Sequence, residues 1–152
     1  MREETGLRLK TVKIASLSLA ATLAAAVPAY AAEGDSVLGT WRSSTRNGVV
    51  EIARCGDSIC GKLMNSDHIA TNPDLRDVKN KDETKRTRKI KGLQILGGFE
   101  RDGGKWSNGT IYNPDDGGTY KATITPDGAN SLKLKGCIVW PLCKTQTWTR
   151  MK

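Results

Sequence analysis

The sequence predicts an all-β protein, an eight-stranded antiparallel up-and-down barrel with one long basic loop. Short runs rich in β-branched and aromatic residues recur along the chain, and Gly, Asn, Asp and Pro separate them. This pattern is typical of strands joined by tight turns. Eight evenly spaced strands of this kind can close into a barrel, which removes exposed sheet edges.

Each predicted strand alternates apolar and polar side chains, or is rich in Val, Ile, Thr and aromatic residues, between turn signals. The eight strands are Val37–Ser43, Val49–Cys55, Ile59–Met64, Gly92–Phe99, Lys105–Tyr112, Thr119–Thr125, Ser131–Val139 and Lys144–Arg150. Four turns support the assignment, at Gly56-Asp57-Ser58, Asp102-Gly103-Gly104, Asn113-Pro114-Asp115-Asp116-Gly117-Gly118 and Pro126-Asp127-Gly128.

Residues 65–91 interrupt the regular spacing. They are polar, basic and without clear period, so we expect a long loop containing at most a helical turn. Within it, residues 79–91 carry seven Lys or Arg against two acidic residues. Such a stretch could make weak contact with anionic surfaces of the cell envelope, or be a solvated, mobile segment. It has no interleaved aromatic residues for stacking bases, so nucleic acid is not an expected partner.

The first 31 residues have the pattern of a secretory signal peptide. Basic residues come first, residues 14–27 are apolar, and Ala29-Tyr30-Ala31 fits the small-x-small cleavage rule. The apolar stretch is shorter than the ~20 residues that span a bilayer, which disfavours the alternative of an uncleaved anchor. We therefore expect a signal peptide at 1–31, a single domain at 32–152, and no membrane span in the mature chain.

Four cysteines follow the predicted signal peptide, and an even number in an exported chain indicates two disulfides. The alternative is a zinc site, but its usual C-x2-C knuckles are absent. Side-chain alternation places all four cysteines on the outer face, at the necks of two hairpins. Of the three connectivities that four cysteines allow, we expect Cys55–Cys60 and Cys137–Cys143.

Trp41 lies in the first predicted strand and Arg150 ends the last, and in a closed barrel these strands are neighbours. A guanidinium can then lie flat on the indole and close one end of the barrel. The arrangement resembles the lipocalins, whose first strand carries Gly-x-Trp and whose last strand region supplies an Arg. The pair is structural whether or not the barrel holds a ligand.

A longer series of motifs, running in order from residue 39 to residue 150, resembles one bacterial family. It includes Gly39-Thr40-Trp41, Arg54-Cys55-Gly56-Asp57, Asn72-Pro73-Asp74-Leu75-Arg76, Gly109-Thr110-Ile111-Tyr112-Asn113-Pro114 and Thr145-Gln146-Thr147-Trp148-Thr149-Arg150. Together these motifs resemble the family called domain of unknown function 2147. The resemblance implies an exported, lipocalin-like β-barrel from a Gram-negative bacterium, hence a periplasmic protein, and it implies no established activity.

Alternation also predicts what faces the barrel interior. Trp106, Asn108, Thr110 and Tyr112 share one parity, and aromatic or polar residues of the sixth and eighth predicted strands face the same interior. An eight-stranded barrel can hold one small ligand, and polar groups among aromatic rings suit a small amphipathic molecule. A filled core whose polar groups bond to one another fits equally well. The candidate ligand-binding residues are Trp106, Tyr112, Tyr120, Gln146 and Trp148.

The sequence shows no catalytic constellation. The single histidine, His68, lies in the polar loop, and no serine lies in a Gly-x-Ser-x-Gly elbow. We therefore expect a protein that is not an enzyme and uses no cofactor or metal ion. Two functions remain: a periplasmic module that binds a small ligand, or a structural or interaction protein of the cell envelope with a filled barrel.

Overall fold

The fold is taken from a computed structural model, which describes residues 36–152. The predicted signal peptide at 1–31 lies outside the described residues. The described chain is almost entirely antiparallel sheet. Its strands are β1 (Gly39–Arg42), β2 (Val49–Cys55), β3 (Ser58–Asn65), β4 (Leu93–Gly97), β5 (Glu100–Asp102), β6 (Lys105–Asn113), β7 (Gly118–Pro126), β8 (Ser131–Val139) and β9 (Leu142–Arg150).

The sheet closes on itself. The strands pair in the order β4-β3-β2-β1-β9-β8-β7-β6-β5, and β4 also pairs with β6. The short β5 continues the position of β4 beside β6, so the nine segments fill the eight positions of a closed barrel. This confirms the predicted fold. The sequence pattern did not indicate β5, which begins after Gly98 turns the chain with a φ of 69° and Phe99 is buried.

One end of the barrel is filled by large apolar side chains. Trp41, Trp106 and Ile124 are buried there at inward positions near the ends of their strands, and Phe99 is buried there from the turn between β4 and β5. The Trp41 indole donates a hydrogen bond of 2.8 Å to the Val37 carbonyl, so its polar atom is satisfied. We call this the closed end.

Residues 66–92, the connection from β3 to β4, are more ordered than the sequence pattern indicates. The predicted helical turn is present as α1 (Asp67–Thr71), with Ser66 as its N-cap, and a 3-10 turn follows at Glu83–Lys85. Ile69 and Ile90 are buried in the main core. Apolar side chains within the polar run therefore fix the segment to the barrel, while most side chains of residues 79–91 stay exposed to solvent. We call residues 66–92 the packed segment.

The packed segment is also held by one fully buried carboxylate, Asp77. The Tyr112 hydroxyl donates to it at 2.5 Å, the Asn80 amide at 2.8 Å, and Arg88 forms an ion pair at 2.8 Å. Burial, together with the hydrogen bond to Asp77, raises the pKa of Tyr112 to about 12, so its hydroxyl stays a donor at neutral pH. A buried charge needs such partners, and here they join the segment to β6.

Both expected disulfides are present, and each joins the two strands of one hairpin. Cys55–Cys60 links β2 to β3, and Cys137–Cys143 links β8 to β9. No cysteine in residues 36–152 is free. Disulfides of this kind indicate an oxidising, extracytoplasmic location. Within the same residues, no helix is long and apolar enough to cross a membrane.

Candidate functional site

A cavity of about 730 Å³ opens at the end of the barrel opposite Trp41. Its wall is formed by inward positions of several strands, among them Val50, Ile111 and Leu134, and Trp148 lies deeper, two residues before the end of β9. Gly136 occupies the next inward position of β8 after Leu134, where it contributes no side chain. A Cβ at Gly136 would meet only the Ile111 side chain at 3.6 Å, so the wall is open there.

Two polar side chains lie among these apolar ones. Gln146 projects from β9 opposite Leu134 and accepts a hydrogen bond of 3.2 Å from the Trp148 indole. A ligand can therefore accept from the Gln146 amide N–H groups or donate to the second lone pair of its oxygen. Tyr120, at the inward start of β7, donates a 2.9 Å hydrogen bond to Asp116 in the β6–β7 turn.

The Asp116–Tyr120 pair sets the charge at this side of the mouth. Burial pushes the pKa of Asp116 up, but hydrogen bonds from the Gly118 N–H, the Tyr120 hydroxyl and the Asn113 amide outweigh it and hold the pKa below its usual value. The bond to Asp116 raises the pKa of Tyr120. At neutral pH this pair therefore consists of one carboxylate and one neutral phenol.

Three loops around the mouth are bonded to one another. Arg46 of the β1–β2 loop forms an ion pair of 2.7 Å with Asp115 of the β6–β7 turn. Lys79 of the packed segment donates to the Asp115 carbonyl at 2.7 Å, and Asn47 donates to Asp67 of α1. These contacts make one continuous side of the mouth, and the β8–β9 hairpin forms the other.

Four of the five sequence-predicted ligand residues line this cavity: Tyr112, Tyr120, Gln146 and Trp148. Tyr112 lies at its edge, where its hydroxyl is already engaged by Asp77. Trp106 is not part of the cavity. It is fully buried at the closed end, with the guanidinium carbons of Arg54 and Arg101 at 5.1 and 5.9 Å from its ring centroid.

The predicted alternation of the fifth strand fails at a β-bulge. The pairing of β6 with β7 shifts between Trp106 and Gly109, and Asn108 has a φ of 58°. Asn108 and Thr110 are consequently exposed rather than inward. The cause is Gly109, whose missing side chain leaves room for a ring: a Cβ there would lie 2.3 Å from Phe99.

Sequence reasoning did not identify several apolar residues of the mouth. Ile111 faces inward only because of the bulge, so simple alternation assigned it outward. Leu75 and Ile90 reach the mouth from the packed segment. The sequence signal for Leu75 and Ile90 was that each is an isolated aliphatic residue within a polar run. Burying such a side chain against the apolar barrel mouth is favourable.

The predicted Trp41–Arg150 contact lies at the other end of the molecule. The guanidinium carbon of Arg150 is 4.2 Å from the Trp41 ring centroid. The same guanidinium donates to the carbonyls of Leu38 and Ala129 at 2.8 Å, and to that of Ser36. Arg150 therefore joins the start and end of the described chain, away from the cavity.

His68 lies exposed on α1 at the cavity rim. Its neighbours there include Ser66 and Arg46, and no Asp, Glu or Cys side chain joins it in a metal-binding cluster within residues 36–152. The mouth offers a ligand an apolar surface, the Gln146 amide, the Tyr120 phenol, the Asp116 carboxylate and the Lys144 ammonium. These groups suit the binding of an amphipathic molecule.

Comparison with solved structures supports this fold. The chain is similar to protein HP1028 from the human pathogen Helicobacter pylori, described as belonging to the lipocalin family, with a TM-score of 0.69 and 20% identity over 76% of this chain and 82% of that one. Among curated proteins, none is significantly similar in sequence. The model of a family of uncharacterized proteins conserved in bacteria, DUF2147, matches residues 39–150. The chain belongs to the DUF2147 family.

Proposed function

We propose that this protein binds a small, partly apolar molecule in the mouth of its barrel. The observation that carries the proposal is the cavity of about 730 Å³, lined by apolar side chains with a few polar groups. Ligand sites typically occupy ~300–1,000 Å³ and have this composition. A barrel filled by its own side chains would leave no such space.

The lining defines the chemistry of the ligand. An apolar body would contact Leu134, Ile111 and the Trp148 ring, and the gap at Gly136 gives it room. A carbonyl, carboxylate or hydroxyl on the ligand could accept from the Gln146 amide. At the rim, the Asp116 carboxylate can accept from a hydrogen-bond donor on the ligand, and the Lys144 ammonium, which also lines the cavity, can pair with an anionic end.

We propose the periplasm as the place of binding. The predicted signal peptide at 1–31 and the two disulfides support export, since disulfides persist in oxidising compartments. A ligand would then be a molecule of the envelope or one that crosses the outer membrane. Peptide mapping of protein from the periplasm would test this: we expect an N-terminus at Ala32 and no peptide from residues 1–31.

A cavity-filling variant tests binding. Gly136→Phe places a ring in the cavity, where the backbone tolerates a Cβ. Thr145→Phe adds the same ring at an exposed position of the same hairpin and is the matched control. We expect laurate and anilinonaphthalene sulfonate to bind the wild type and Thr145→Phe with equal affinity, and to bind Gly136→Phe at least tenfold more weakly.

Two results would contradict the proposal. One is equal binding by Gly136→Phe and Thr145→Phe, which would place the probe outside the cavity. The other is no binding of any apolar probe, together with native mass spectra of periplasmic preparations that never show a bound molecule. In that case the second candidate, a non-enzymatic structural or interaction protein of the cell envelope, would be the better account.

A further inference from the structure

We propose that the tip of the β8–β9 hairpin, residues 138–142, docks onto a bilayer surface that carries anionic headgroups. We call these residues, Ile138-Val139-Trp140-Pro141-Leu142, the apolar tip. The proposal is independent of whether the cavity holds a ligand. It rests on the exposure, the charge and the position of this hairpin.

The apolar tip is exposed to an unusual degree. Trp140 is 79% exposed, Ile138 73% and Leu142 63%. Elsewhere in residues 36–152 the exposed large apolar side chains are the isolated Met64 and Val78. Contiguous exposed apolar residues mark interaction sites, whereas single ones are ordinary.

The tip is short and constrained. Val139 pairs with Leu142, so Trp140 and Pro141 form a two-residue turn at the end of the ladder. The Cys137–Cys143 disulfide joins the strands directly behind the turn. The apolar residues are therefore presented outward by a covalently closed hairpin, so little ordering entropy is lost when they bind.

The charges around the tip are complementary to anionic lipid. No Asp or Glu follows Asp127 in the chain. Lys135 and Lys144 are exposed, three and two residues from the tip, and Lys121 pairs with Cys137 on the neighbouring strand. At ~3.4 Å per residue Lys144 and Lys135 stand about 7 and 10 Å behind the tip, from where long side chains can extend toward headgroups.

The chemistry favours a bilayer over a protein partner. Tryptophan and aliphatic side chains at a protruding turn, with lysines behind them, match a membrane interface, where indole rings lie at headgroup level and cations meet anionic lipid. A protein partner would have to offer an apolar groove for a convex turn. Apolar insertion plus basic charge supply the two signals that membrane attachment of a peripheral protein requires.

Residues 79–91 are less suited to this role, although they were the sequence-predicted contact with anionic surfaces. Five of their seven basic side chains are engaged within the protein: Lys79, Lys85, Arg86, Arg88 and Lys89. The exposed large apolar residue beside them is the single Val78. The apolar tip is therefore the better contact.

Docking through the tip would place the cavity mouth at the lipid surface. Ile138, Pro141 and Leu142 belong to both the tip and the cavity rim. A molecule dissolved in the bilayer would then reach the cavity without crossing water. This consequence rests on the proposed function, whereas docking itself does not.

Trp140 is a natural reporter for the experiment. The chain has four tryptophans, and Trp41, Trp106 and Trp148 are buried. Vesicles of equal parts phosphatidylglycerol and phosphatidylcholine, with brominated acyl chains, should therefore quench chiefly Trp140. We expect quenching and co-sedimentation with these vesicles, and much weaker binding to pure phosphatidylcholine or in high salt.

Matched variants identify the surface. Leu142→Ser should weaken vesicle binding about tenfold, because one aliphatic side chain no longer leaves water. Val78→Ser, at an equally exposed position of the packed segment, should leave binding unchanged. The double change Lys135→Glu and Lys144→Glu should abolish the preference for anionic vesicles, whereas the same changes at the exposed Lys81 and Lys91 should not.

All variants are prepared as the periplasmic form and share whichever residues before 36 that form retains, so any contribution of those residues to vesicle binding cancels between them. Equal losses in Leu142→Ser and Val78→Ser, or a loss caused by the Lys81 and Lys91 changes alone, would overturn the proposal. A further contradicting result would be no vesicle binding, together with a dimer in sedimentation that Leu142→Ser dissociates. The tip would then contact a second copy of the chain rather than a membrane.

Discussion

Arg150 helps close the barrel through one ring contact and three hydrogen bonds. It stacks on Trp41 and donates to three backbone carbonyls, those of Ser36, Leu38 and Ala129. A planar guanidinium can do this because its donors point in several fixed directions while its face stays on the ring. A lysine carries the same charge but lacks both the planar group that stacks on the ring and the several N–H donors in fixed directions.

We therefore expect Arg150→Lys to behave almost like Arg150→Ala. Each should lower the free energy of unfolding by about 2–4 kcal/mol, from lost hydrogen bonds and the lost ring contact. Urea denaturation followed by circular dichroism measures the change. A lysine variant as stable as the wild type would show that charge alone closes this end of the barrel.

Asp116 makes the stability of the fold depend on pH, and the direction of its pKa shift gives the sign of that dependence. Its pKa is lowered in the fold relative to the unfolded chain, where aspartate titrates near ~3.9. The contribution of Asp116 to stability is therefore present above about pH 4 and is lost as the pH falls through the folded pKa. The group is exposed, so solvent screening keeps this contribution below about 1 kcal/mol.

Tyr120→Phe removes one of the donors that hold the Asp116 pKa down. We expect the Asp116 carboxyl pKa, measured by NMR titration of its side-chain carbon, to lie below that of a free aspartate in the wild type and to rise in the variant. An unchanged pKa would show that the Gly118 N–H and the Asn113 amide suffice without the Tyr120 hydroxyl.

At the scale of elements, the packed segment depends on Asp77. Tyr112→Phe removes the hydroxyl that donates to this buried carboxylate and accepts from Asn80. We expect a loss of about 1–3 kcal/mol and faster tryptic cleavage at the basic residues 85–91. Tyr120→Phe is the control, since its hydroxyl contacts an exposed carboxylate. Equal cleavage rates in all three proteins would mean that Ile69 and Ile90 hold the segment without Asp77.

Alternation was sufficient to predict most strands and both disulfides, because inward and outward residues differ in polarity along β2, β3, β8 and β9. It failed on β6, where the bulge before Gly109 exchanges the two faces. The bulge accommodates the Phe99 ring, which comes from the turn between β4 and β5. Local sequence carries no sign of such a partner, so Ile111 was not assigned to the site. Trp106 does face inward, but it lies at the closed end, and alternation does not give a residue's depth along the barrel axis.

At the scale of the whole molecule, strand number and spacing predicted the barrel, and the first and last strands could be joined through Trp41 and Arg150. The cavity could not be predicted. It depends on where large and small inward residues fall along the barrel axis: tryptophans fill the closed end, whereas Gly136 leaves space near the mouth. Predicting that distribution requires the register of each strand pair, and side-chain alternation alone does not give the register.

The most direct test of ligand binding in the mouth is an NMR titration of the four tryptophan indole N–H signals with laurate. Trp148 lines the cavity, Trp41 and Trp106 are buried at the closed end, and Trp140 lies on the apolar tip. We expect a saturable shift of the Trp148 signal with little change at Trp41 and Trp106. A shift confined to Trp140, or no shift of Trp148 at saturating laurate, would contradict a ligand site in the barrel.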